Sequence, residues 1–137
     1  MQARCASHLT VGKIGNATVK WQVDSSATWQ WHYFLDAAVN DKTLTLLVDT
    51  GASGVALPME FAQSAKIVCR NKIYMQTANG VSEACTTIIP KLTFGPFTLI
   101  DTPALLSKNL GQPLLGMNVL QQFKVEQNNG EMRISTR

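Results

Sequence analysis

Apolar and polar residues alternate with a period of two along most of the chain, the signature of half-buried β-strands. Val19, Trp21 and Val23 alternate with Lys20, Gln22 and Asp24. After the Ser25-Ser26 break, Trp29, Trp31, Tyr33 and Leu35 fall on one face of a second strand. An aromatic stripe of this kind is ordinarily the buried face of a sheet, although it could also meet a partner or a membrane. Asn40-Asp41-Lys42 reads as a hairpin turn into Thr43–Val48, whose largely apolar run suits a buried strand. Pro58 at a first-turn position, followed by Met59–Ala65, predicts one short helix. A hairpin at Ala78-Asn79-Gly80 is expected to use the positive φ angles of a type I′ turn. Another turns at Gly95-Pro96, between Ile88–Leu92 and Thr98–Leu106. Val119–Phe123 suits one or two helical turns, and Asn128-Asn129-Gly130 a last hairpin into Met132–Ile134. The pattern predicts a mostly β domain with one or two short helices.

Composition narrows the class. The 137 residues are 45% hydrophobic and 15% charged, enough apolar surface for a packed core and too little charge for a disordered chain. A chain of this length buries about two thirds of its unfolded surface, as one domain. It is too short for a TIM barrel or for an enzyme of two large domains. Twelve Lys and Arg against nine Asp and Glu give a net charge of +3, with the basic residues scattered singly. That scatter is unlike a nucleic-acid footprint. Cys5, Cys69 and Cys85 allow at most one intramolecular disulfide, and the offsets of Cys69 and Cys85 around the Asn79-Gly80 turn do not place them opposite each other. With no CxxC spacing and with His8 and His32 far apart, no zinc site or other cofactor is expected. No stretch reads as a membrane span or a secretory leader, so the expectation is a cytosolic chain or a soluble part of a longer one.

Candidate chemistry gathers at Leu46-Leu47-Val48-Asp49-Thr50-Gly51-Ala52-Ser53. Here a buried strand ends on a carboxylate and breaks into a turn. Burial disfavours the ionised Asp49, so hydrogen bonds or a second group must compensate. Gly51 permits a close turn, and Thr50 offers a bracing hydroxyl. By itself an Asp-Thr-Gly is also consistent with a capped ordinary turn.

Together with its flanks, Asp49-Thr50-Gly51-Ala52 resembles the aspartic proteases, in particular the single-lobed retropepsin-like ones. Leu114-Leu115-Gly116, followed by Met117–Leu120, is similar to their second motif, and the Asn79-Gly80 hairpin falls where they place a flap. VDTGAS, TANG and LLGMNVL look most like a bacterial subgroup often made with an N-terminal membrane anchor. The resemblance spans about residues 33–134. It implies a single retropepsin-like domain over 1–137, folded as a closed acid-protease β-barrel, with residues 1 to about 30 as an N-terminal extension carrying extra strands. It also implies a periplasmic or envelope-associated location for this part of the protein.

The resemblance assigns Asp49, Thr50 and Gly51 to catalysis. Ala52, Ser53, Thr77, Ala78, Asn79, Gly80, Leu114, Leu115 and Gly116 would contact an extended peptide, beneath a flap over Tyr74–Cys85. Viral members pair an Asp with an Arg at the positions of Ser53 and Met117; this chain has neither, so no lone charge is stranded. The first thirty residues have no viral counterpart, and the C-terminal hairpin differs from the single straight terminal strand of viral dimers.

Peptide hydrolysis of this kind needs two carboxylates sharing a proton. Asp101-Thr102-Pro103 cannot supply the second, because proline can neither adopt positive φ nor donate an amide. Asp24-Ser25-Ser26 lacks the glycine and the apolar strand. The expectation is therefore a homodimer with one Asp49 from each copy. A monomeric peptide- or partner-binding module on the same fold is the alternative, and an assembly protein using the tryptophan stripe a third.

Overall fold

The computed structural model describes residues 9–10, 19–23, 31–128 and 131–137. In chain order the elements are β1 (Leu9–Thr10), β2 (Val19–Val23), β3 (Trp31–Val39), β4 (Lys42–Val48), β5 (Val55–Pro58), α1 (Met59–Ser64), β6 (Asn71–Thr77) and β7 (Gly80–Phe94). There follow β8 (Phe97–Ser107), β9 (Leu114–Leu115), α2 (Met117–Leu120), β10 (Phe123–Asn128) and β11 (Glu131–Thr136). The mostly β reading holds. Nine strands form one sheet in the order β1-β2-β3-β4-β9-β5-β8-β7-β6, and β3 also pairs with β7 through Ala37–Val39 and Leu92–Phe94. That extra pairing bends β3, β4, β9, β5, β8 and β7 into a closed ring. β10 and β11 form a separate two-stranded sheet.

Alternation along the strands fills the ring. Tyr33, Leu35, Ala37 and Val39 point inward from β3, and Leu46 and Val48 from β4. They meet Leu57, Ile89, Leu92, Leu106 and Leu115, with Met132 and Ile134 of β11 sealing one side. Phe94, Phe97 and Phe123 cluster with centroids 4.7–5.5 Å apart, which docks the C-terminal hairpin on the β7–β8 turn. Trp29 and the side chain of Trp31, half of the expected stripe, lie outside the described residues, as do Asn129 and Gly130 of the last turn.

The turns obey local chemistry with one departure. Asn40 and Asp41 both take positive φ (49° and 68°), the type I′ geometry that a two-residue hairpin favours. At the β6–β7 tip, Thr77 pairs with Gly80, but positive φ is carried by Gly80 alone (107°). This turn is not type I′; the glycine absorbs the twist at the start of β7 instead. β7 and β8 run to fifteen and eleven residues, longer than the apolar segments alone suggest. Pro58 precedes α1 as its N-cap rather than entering its first turn. α2 is a single turn that begins at Met117, two residues ahead of the expected start.

Candidate active site

Asp49 is half-buried at the end of β4, where three chain segments meet. β4 runs parallel to β9, with Leu47 beside Leu114 and Val48 beside Leu115. The Leu47 N–H donates to the Pro113 carbonyl at 2.9 Å, and the Asp49 N–H to the Leu115 carbonyl at 3.0 Å. The backbone that carries the carboxylate is thus tied to Leu114-Leu115-Gly116, far along the chain. Beyond Asp49 the turn closes on the side chain itself. The Gly51 N–H donates to Asp49 Oδ1 at 2.8 Å, and the Ala52 N–H to the Asp49 carbonyl at 3.2 Å. One carboxylate oxygen is engaged in orienting the group.

A second layer of ties locks the turn. The Met117 N–H donates to the Ala52 carbonyl at 2.8 Å, and the Asn118 N–H to the Ser53 carbonyl at 3.0 Å. Here Gly116 passes directly against Gly54: a β-carbon on Gly116 would come within 2.6 Å of the Gly54 backbone nitrogen and carbonyl carbon. Asn118 Nδ2 donates to the Pro103 carbonyl at 2.9 Å, which joins the turn to β8. Its Oδ1 is buried without a partner among the described residues. Backbone hydrogen bonds, with no side-chain ion pair between Ser53 and Met117, thus join the two segments.

These contacts bring Asp49, Thr50, Gly51, Ala52 and Ser53 together with Leu114, Leu115 and Gly116. Thr50, Gly51 and Ser53 are exposed, whereas Leu115 has no exposed surface and supports the turn from below. A recess of about 250 Å³ next to the carboxylate is lined by His32, Tyr33, Asp49, Thr50, Gln127 and Met132, among others. Among the described residues that line it, Asp49 is the sole carboxylate. Asp101 is exposed, with φ 55°, in the middle of β8 and lines no part of this recess. Thr77, Ala78, Asn79 and Gly80 form the tip of the β6–β7 hairpin, and none of them lines the recess. Ala78 and Asn79 are exposed, and the Thr77 side chain lies outside the description. Among the described residues no three potential metal ligands cluster.

Sequence reasoning missed three features here. The Gly54–Gly116 contact needs two glycines from distant motifs, a signal visible only once those motifs are paired. Asn118 carries no local hint of its bond to Pro103. The third is a pairing the sequence left open: Cys69 and Cys85 are disulfide-bonded, with α-carbons 5.4 Å apart. Cys85 does face Lys72 rather than Cys69 in the β6–β7 ladder, as the offsets imply. The chain before β6 nevertheless runs beside β7: the Arg70 N–H donates to the Thr86 carbonyl at 3.1 Å and Thr87 Oγ1 to the Val68 carbonyl at 2.6 Å. Cys69 reaches its partner from outside the hairpin.

The hairpin carries its own ion pairs. Glu83 binds Lys72 at 2.9 Å and Lys108 at 3.5 Å, and these ammonium groups hold its carboxyl below the usual range. The Glu83 hydrogen bond and charge raise Lys72 in turn.

Comparison with known proteins gives the same grouping. The sequence profile of the family described as gag-polyprotein putative aspartyl protease matches residues 35–122. An uncharacterized protein in the cobV 5′ region of a Sinorhizobium species is 33% identical over 101 residues. An uncharacterized Rickettsia prowazekii protein is 36% identical over 97 residues. These alignments take in 70% and 68% of the chain but only 43% and 42% of the relatives, so the chain spans less than half their length. Among solved structures, a retropepsin-like aspartic protease from Rickettsia conorii superposes with a TM-score of 0.68 at 24% identity, over 89% of this chain and 99% of that one. The EIAV protease complexed with the inhibitor HBY-793 gives 0.52 at 22%, over 64% and 84%. At these identities the likeness is one of fold: the closed ring is the single-lobed retropepsin-like architecture.

Proposed function

Since the chain belongs to the gag-polyprotein aspartyl protease family, we propose that it is an aspartic endopeptidase whose active site is completed by a second copy of itself. The observation that carries this reading is the oriented Asp49, alone as a carboxylate in its recess, at the junction of β4 and β9. Two copies related by a twofold axis would set two such carboxylates around one water. Sharing one proton, the pair divides the work. The ionised member takes a proton from the attacking water, while the protonated member hydrogen-bonds the scissile carbonyl. The Gly51 N–H bond to Oδ1 keeps each carboxylate in place for that exchange. The β6–β7 hairpin would close the site over an extended peptide and exclude water.

The test is incubation with a diverse peptide mixture from pH 3 to pH 8, wild type beside Asp49→Asn, with sedimentation run in parallel. Cleavage should follow the dimer and fall at least ~10²–10⁴-fold in the variant. Cleavage that survives Asp49→Asn refutes the proposal. The solitary carboxylate also favours a second reading, in which a strict monomer binds peptides without cutting them; a concentration-independent monomer with no cleavage would establish it.

A further inference from the structure

A second cavity adjoins the turn that follows Asp49. It opens at Ala52 and Ser53, three and four residues past Asp49, and measures about 740 Å³, within the range of pockets that hold ligands. Its walls come from β7 at Thr87 and Ile88, from β8 at Ala104, and from Leu114 of β9. These surfaces are apolar or neutral. Among the lining residues one is charged, Arg70, and none is acidic.

Arg70 is the cation that lines this cavity; like Lys42, Lys66 and Arg133, and unlike the lysines that follow, it has no ion pair among the described residues. Lys72 and Lys108 are paired with Glu83, Lys91 with Asp41 and Lys124 with Glu126. Among the described residues the Arg70 guanidinium has no carboxylate partner, and the residue is exposed at the cavity rim. Its backbone is held on both sides: by the Cys69–Cys85 disulfide, by its own N–H on the Thr86 carbonyl, and by Thr87 Oγ1 on the Val68 carbonyl. A guanidinium offers a planar fork that matches a carboxylate, and the held backbone fixes where its stem begins.

We propose that this cavity is a specificity subsite for an acidic side chain of an extended peptide, with Arg70 as its anion-binding group. The proposal rests on the proteolytic reading and adds a substrate class to it. Extended chains advance ~3.3 Å per residue and turn alternate side chains to one face. The acidic residue therefore belongs roughly two to four positions from the scissile bond, with small or apolar neighbours to suit the walls.

Synthetic peptides test this in pairs that differ only in Glu against Gln, with the Glu moved through the second, third and fourth positions on each side of the cleaved bond. At pH 5–6, where Glu is ionised, wild type should cleave the Glu member of one pair about tenfold faster in kcat/KM. The ratio should fall towards one in Arg70→Gln, persist in part in Arg70→Lys, and turn in favour of Lys-containing peptides in Arg70→Glu. It should shrink with added salt and below about pH 4, as Glu takes up a proton. Because the readout is a ratio within each variant, a change in overall activity does not disturb it. A wild-type ratio near one at every position, or a preference that survives Arg70→Gln, overturns the subsite. Binding of the same peptides to Asp49→Asn by calorimetry separates the two proposals. Tighter binding of Glu peptides with no cleavage by wild type keeps the subsite and removes the protease; cleavage without preference does the reverse. Neither cleavage nor a binding difference removes both.

Discussion

Replacing Gly116 with alanine should disable the Asp49 turn through a single methyl group. Gly116 has φ −104° and ψ −172°, extended backbone that alanine adopts without penalty. The cost is therefore steric alone. The added β-carbon would meet the Gly54 nitrogen and carbonyl carbon at 2.6 Å, and backbone atoms cannot rotate away as a side chain would. Overpacking against fixed atoms costs about 3 kcal/mol, the upper part of the usual span. For a chain of this size that lowers Tm by about 9–15 °C. The strain also lands where function is most sensitive, because relief requires Gly116 to move off Gly54 and stretches the Met117–Ala52 and Asn118–Ser53 bonds. A displacement of about 1 Å at a catalytic group can remove ~10² in rate, so kcat/KM should fall by that order even in the folded fraction. Gly111→Ala is the control. Nothing lies within 4 Å of its added methyl and its φ is outside the left-handed region, so it should melt close to wild type and spare the Asp49 turn. Differential scanning calorimetry and peptide cleavage on both variants decide the matter. A Gly116→Ala protein melting within about 2 °C of wild type and cleaving normally would refute the reasoning.

Two further outcomes follow from the hairpin. Cys69→Ser with Cys85→Ser, or reduction of the wild type, opens a loop of sequence separation 16 and should lower stability by about 3 kcal/mol, read as a drop in thermal midpoint. Glu83 has a lowered folded-state pKa, so its contribution is present above its unfolded value and lost as pH falls through the folded one. Amide exchange in Asn71–Phe94, measured against Glu83→Gln, should therefore accelerate more in wild type than in the variant as the solution is acidified. Equal responses would show that the two lysine pairs do not hold the hairpin.

Elements set by local chemistry were legible in the sequence. The Asn40-Asp41 turn, the apolar β4 ending on Asp49 and the short helix after Pro58 each follow from residues within a few positions of one another. Closure of the ring was legible only through the family resemblance; the alternation itself does not show it, because it depends on Ala37–Val39 meeting Leu92–Phe94, two stretches whose pattern suits any antiparallel neighbour. The Cys69–Cys85 bond was obscured for a related reason. Counting from the turn presumes that both cysteines sit in one ladder, whereas Cys69 belongs to the bend that precedes it. At the candidate site, the Asp-Thr-Gly motif marked the strand end that the fold ties to β9, but the setting of Gly54, Asn118 and Arg70 arises only from what the fold places beside them.

The union of β4 with β9 also governs when the site can exist. Asp49 is fixed by the Leu115 carbonyl, and Ala52 and Ser53 by the amides of Met117 and Asn118. A growing chain that has passed Asp49 but not yet reached Asn118 has the catalytic motif and nothing to hold it. Contacts of such long range form late and slowly. On the proposed reading, a nascent chain of this design is silent during its own synthesis, and it becomes competent to pair into an active site only once nearly all of these strands have been made.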